Sequence, residues 1–157
     1  MKRDDDTYRA DLEAAKHAST LQLLFRTARL LDELALRRVA EKPGRPKLRR
    51  SHTALFPHID LEGTRVTELA ERLGVTKQAV SQVLDDLEQL GIVERVADPA
   101  DARARLVRFT ERGRAGLLDG LAILRELEAE CAAAIGASRM GDLRRALIAL
   151  DAHLREP

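Results

Sequence analysis

Cysteine, aromatic side chains and excess charge are all scarce in this 157-residue sequence. The single cysteine, Cys131, excludes an intramolecular disulfide framework and any cysteine-based zinc cluster. With aromatics at 3%, packing falls to Leu, Ala, Val and Ile, a composition that favours helices. No stretch is long and apolar enough to span a bilayer, and the opening MKRDDDTYRADLEAAKHAST lacks the apolar run of a secretory signal. A soluble cytoplasmic chain is therefore expected. Also missing are an HExxH metal motif, a Gly-rich phosphate loop and a nucleophile elbow. The four histidines, His17, His52, His58 and His153, are scattered, and Ser51-His52 has no third orienting group. Neither a catalytic site nor a metal or cofactor is expected.

Hydrophobic residues reach 45%, enough to build a core. The balance of 27 basic and 26 acidic residues leaves a net charge of +1, so bulk charge does not argue for nucleic acid. Its distribution is more informative. Lys42 to His52 reads KPGRPKLRRSH, five cations without an acid. Such a run suits either a solvated loop or non-specific attraction to phosphate.

The pattern along the chain is mostly helical. After a charged start expected to fray, Leu21, Leu24, Phe25, Ala28, Leu31, Leu34 and Ala35 recur at steps of three and four, one face of a helix. Pro43, Gly44 and Pro46 end it. Ser51 can cap a short helix carrying Ala54, Leu55, His58 and Ile59, which Pro57 would kink or shorten. Thr67 can cap a further short helix, with Gly74 closing it in the left-handed conformation. Thr76 can cap the next, whose Val80, Val83, Leu84, Leu87 and Leu90 share a face up to Gly91. Two short helices around a Gly-containing turn make a helix-turn-helix.

The period then changes. Residues 92–96 and 105–109 read as strands, and Ala97 to Ala104 reads as a hairpin tip, so a wing follows the helix-turn-helix. Thr110 caps a long helix with Leu117, Leu121, Leu124, Leu127, Cys131 and Ile135 on one side. Among those apolar neighbours, a buried inert thiol is favoured over a redox sensor at Cys131. After Gly136, Ser138 opens a last helix with Leu143, Leu147, Leu150 and Leu154 at spacings of four, three and four. That narrow stripe suits pairing with another helix. The expected fold class is mainly α with a small β-hairpin wing: a winged helix-turn-helix over 46–113, flanked by dimerisation helices in 1–45 and 114–157.

Helix 76–90 is asymmetric in charge. Its first turns offer Lys77, Gln78, Ser81 and Gln82, which can donate to base edges or phosphates. Asp85, Asp86 and Glu88 follow and would repel DNA, so the N-terminal half is the expected entry to a major groove. On the wing, 97–105, Arg103 and Arg105 can reach a minor groove. Asp101 would orient Arg103. With Thr67 and Thr76 at their helix starts, these residues form the candidate DNA-contacting set.

The run TELAERLGVTKQAVSQVLDDLEQLGIVER, followed by DPADARARLVRFTERG, resembles the MarR-type winged-helix regulators over nearly the whole chain. Asp98-Pro99, Asp101, Arg103 and Thr110-Glu111-Arg112-Gly113 stand in register with that family's wing tip and helix start. Ala102 replaces the first Arg of the usual pair, removing one phosphate or base contact, and Phe109 replaces Leu. The resemblance implies a homodimer in which Leu21 of the first long helix joins the leucines of the last. It further implies two recognition helices in successive major grooves of double-stranded DNA, and commonly repression relieved by a small phenolic or anionic molecule. By the same analogy Leu24, His52, Phe56 and His58 would line the effector pocket. The competing expectation is a winged helix used as a protein-interaction module or dimeric scaffold without specific DNA binding.

Overall fold

The computed structural model describes residues 2–155; the side chains of Lys2, Arg3, Asp4, His17 and Ala102 lie outside the described residues. The element order is α1 (Lys2–Ala18), α2 (Thr20–Glu41), α3 (Arg50–Leu55), a 3-10 turn (Phe56–His58), β1 (Thr64–Arg65), α4 (Val66–Leu73), α5 (Lys77–Gln89), β2 (Val93–Asp98), β3 (Asp101–Phe109), α6 (Glu111–Ile135) and α7 (Ala137–Arg155). The mainly helical architecture with a small antiparallel sheet is the one expected. Two compact units divide it, Met1–Ala54 and Leu55–Pro157.

In the first unit, the charged start is helical rather than frayed, and α1 runs to Ala18. Ser19 separates it from α2 by accepting the Gln22 amide in its side-chain oxygen, at 3.3 Å. No residue of α2 is buried, and Leu21, Leu23, Phe25, Leu30 and Leu31 are all exposed. Ser51 does not cap α3, which already includes Arg50. The start is instead held by His52, whose Nδ1 accepts the Arg49 main-chain amide at 3.2 Å. Arg50 also pairs with Asp32 of α2 at 3.1 Å.

The second unit begins where Pro57 acts as expected, cutting the helix to a single 3-10 turn. Thr67 is not a cap. Thr64 and Arg65 form a two-residue strand paired with Val107 and Leu106, so α4 starts at Val66 with Arg65 as its uncapped boundary. The sheet order is β1-β3-β2. Buried apolar residues lie between Leu55 and Leu127, with Leu69, Leu84, Leu87 and Val107 fully enclosed.

Two local motifs fix how the long helix leaves the sheet. The Thr110 hydroxyl accepts the Gly113 amide at 2.9 Å and donates to the Gly91 carbonyl at 2.7 Å. It thus caps α6 and ties it to the end of α5 in one contact. A Cβ on Gly113 would stand 2.0 Å from the Ile92 carbonyl oxygen, so only glycine permits this approach. Ile123 and Leu127 bury α6, whereas Leu121 and Leu124, expected on the same side, are exposed. Cys131 is half-buried. Ser138 lies one residue inside α7, on which no residue is buried.

Candidate nucleic-acid interface

Helix α5 owes its start to Thr76, whose hydroxyl accepts the Ala79 amide at 3.2 Å. Before it, Gly74 takes φ 65°, the left-handed conformation that closes α4 and lets the chain turn into α5. Val80, Leu84 and Leu87 bury one face. Thr76, Lys77, Gln78 and Gln82 are exposed and Ser81 is half-buried, so the polar first turns face outward together. Thr67 is exposed within the first turn of α4.

The wing tip is built by two aspartates. Asp98 is 7% exposed; its Oδ1 accepts the Ala100 amide at 2.8 Å and its Oδ2 accepts Arg65 Nε at 2.7 Å. The Ala100 amide first, and the Arg65 guanidinium second, hold its pKa below the ordinary carboxylate value. Asp101 then accepts the Arg103 main-chain amide at 3.0 Å. It therefore acts on Arg103, which it was expected to orient, through the backbone that carries that side chain. Pairing runs from Ala97↔Arg105 to Asp98↔Asp101, which leaves residues 102–104 of β3 without a partner on β2. The strands thus run further than expected, leaving a turn at Pro99 and Ala100 with a bulge beside it. Arg103 and Arg105 are exposed, while Arg108 pairs with Glu94 at 2.8 Å.

Three arginines missed in the sequence reading fasten this unit. Arg65 ties β1 to the wing tip through Asp98. Arg72 of α4 donates to the His58 carbonyl at 2.7 Å, to Asp60 at 2.8 Å and to Glu68 at 2.6 Å. Asp60, whose pKa is lowered chiefly by Arg72, also accepts the Thr64 hydroxyl at 3.2 Å. Arg95 of β2 reaches back to α5, contacting Asp85, Glu88 and the Ser81 carbonyl. Of the arginine bonds, only Arg72–Glu68 has the i, i+4 spacing on one helix that could have been read in advance; the others join residues seven to 33 apart.

The four residues expected to line an effector pocket divide between the units, Leu24 and His52 in the first, Phe56 and His58 in the second. Leu24 is half-buried and His52 is 2% exposed, with its Nε2 3.2 Å from the Arg49 guanidinium. Phe56 packs edge-on against Phe109, with ring centroids 5.6 Å apart at 74°. The Leu-to-Phe departure at 109 thus completes an aromatic contact. His58 contributes its carbonyl to Arg72. Among the described residues no three His, Cys, Asp or Glu side chains converge as a metal site, and no helix is long and apolar enough to cross a membrane.

Residues 48–104 match the MarR family model. The chain is 34% identical to an HTH-type transcriptional repressor of Mycobacterium bovis over 85 residues, 54% of this chain and 61% of that protein. It spans 30–61% of the length of the curated repressors it matches in this way. Solved structures extend the likeness. The transcriptional repressor CouR, bound to a 23-mer DNA duplex, superposes with a TM-score of 0.62 at 26% identity, covering 87% of this chain and 92% of CouR. MarR superposes at 0.65 and 22% identity, covering 85% and 93%. Residues 48–104 thus match the MarR family model, and the chain as a whole has the fold of the winged-helix structures it superposes on.

Proposed function

We propose that this chain is a homodimeric transcriptional regulator, acting as a repressor, and that it catalyses nothing. It reads a pseudo-palindromic duplex with the N-terminal half of α5 in the major groove and the wing at the minor groove. The observation that carries this reading is the pairing of two outward-facing sets in one compact unit. Lys77, Gln78 and Gln82 are exposed on the first turns of a capped helix, and Arg103 and Arg105 on the neighbouring wing. Uncharged donors suit base edges in a major groove and arginines suit the electronegative minor groove. The similarity to repressors, one of them solved on DNA, supports the same reading.

Residues 46–113 would bind DNA, and 1–45 with 114–157 would dimerise. Support for the second role comes from exposed leucines: Leu21 on α2 at 54%, and Leu143, Leu147 and Leu154 on α7 at 43%, 41% and 72%. Leu150 is half-buried. A phenolic or anionic effector would release the operator.

The test is selection of binding sites from random duplex DNA with purified protein, then titration of the best site at several salt concentrations. The reading expects a pseudo-palindrome with half-site centres about 34–36 Å apart and affinity that falls steeply with salt. Arg103→Ala should weaken that complex by about 1–3 kcal/mol without altering the fold. If no motif is enriched and binding stays weak, a protein-interaction module is the better description.

A further inference from the structure

The helix proposed to meet DNA carries its own repulsion. Ser81, Asp85 and Glu88 follow one another at steps of four and three, so they form a single stripe along α5. Gln78 and Gln82, also four apart, form the stripe beside it. Two carboxylates therefore flank the surface expected to approach a polyanion. A long acidic edge on such a helix would oppose the docking that its first turns favour.

Arg95 lies over that stripe. It shares a face of β2 with the buried Val93, so its side chain is directed toward the helix. Its guanidinium meets Asp85 Oδ1 at 2.8 Å, pairs with Glu88, and reaches the Ser81 carbonyl at 3.4 Å. Its main-chain amide donates to Glu88 Oε1 at 3.0 Å, which holds that carboxylate from a second direction. The Arg95 side chain is 26% exposed and Glu88 30%, whereas Asp85 remains 59% exposed. The next cation–acid pair on the ribbon, Arg108–Glu94, satisfies itself without reaching α5.

We propose that Arg95 is a positioning residue that serves as the internal counterion of the recognition helix. It draws Asp85 and Glu88 onto the wing strand and away from the phosphate backbone. This rests on the DNA-binding reading above. The cation contributes to affinity without touching DNA, by cancelling part of a charge that would otherwise face it. The arrangement also joins helix and wing, so both present themselves as one surface.

The experiment uses the full chain, the best duplex from the selection, and three variants measured by titration at fixed low salt with thermal unfolding alongside. Arg95→Gln should weaken binding by about tenfold, the scale of a lost specific contact. Adding Asp85→Asn and Glu88→Gln to it should bring affinity back to within about threefold of wild type, because no exposed acid is left to mask. Arg95→Lys, which keeps the charge, should stay close to wild type and serves as the informative variant if Arg95→Gln fails to fold. Unchanged affinity in Arg95→Gln would overturn the proposal. So would equal weakness in the single and triple variants, since the loss would then come from packing. If wild type binds no duplex, the DNA-binding reading itself falls, and this proposal with it.

Discussion

Leu84 on α5 and Leu147 on α7 each lie in a helix with leucines at steps of three and four, yet one is fully enclosed and the other 41% exposed. The contrast holds element by element. Helices α4 and α5 bury their apolar faces within the winged-helix body, while α2 and α7 bury no residue at all. The body is fastened by arginine–carboxylate bonds across its strands and turns. On α7 the ion pairs, such as Arg155–Asp151, stay within the helix and are well exposed. The same periodicity thus has two outcomes, a core closed within the chain or an apolar face left exposed. Amphipathic spacing marks a face as apolar and is silent on what covers it.

The difference can be broken most severely at the enclosed end. Leu84→Ala should cost about 2–5 kcal/mol of folding stability in urea titration, the range for a leucine removed from a packed core. A loss below 1 kcal/mol would mean that the body is not the tightly packed region described. Gly113→Ala strikes the same region through the backbone: the added methyl meets the Ile92 carbonyl, and about 1–3 kcal/mol should be lost, as for other overpacked sites.

On the open side, Leu147→Glu should leave far-UV helicity intact but change the mass in sedimentation. Wild type should run near twice 17.5 kDa and the variant near 17.5 kDa. A variant that keeps the wild-type mass would move the interface away from α7. The smallest expected effect concerns acid. Asp98 has a lowered pKa in the fold, so its contribution is complete above the ordinary value of 3.8 and is lost as pH falls through the folded value. Asp98→Asn keeps an acceptor for the Ala100 amide, loses the charge facing Arg65, and should flatten the stability profile below about pH 4. An unchanged acid limb would assign the acid sensitivity to other carboxylates, Asp60 first among them.

Local chemistry was readable wherever a residue acts on its immediate neighbours. Thr76 and Thr110 cap the helices that follow them, Gly74 turns left-handed, and Pro57 cuts a helix short, because each effect is settled within about four residues. Thr67 shows where this stops: an acceptable cap residue was overridden when Thr64 and Arg65 paired with β3 and moved the helix start. The charged beginning was misjudged for the opposite reason, since its apolar stripe is too thin to announce the helix α1.

The candidate site divides in the same way. The exposed donors of α5 and the wing arginines were evident from spacing and charge, and so was the position of the tip. Arg65, Arg72 and Arg95 were not. Their partners Asp98, Asp60 and Asp85 stand 33, 12 and 10 residues away, a separation that local pattern does not encode. By itself, then, the sequence determined the helical segments other than α1, where most of them begin and end, and which faces are apolar. Only the tertiary structure decided which of those faces close on their own chain and which cation answers each acid, because both depend on what folding brings within a few ångströms.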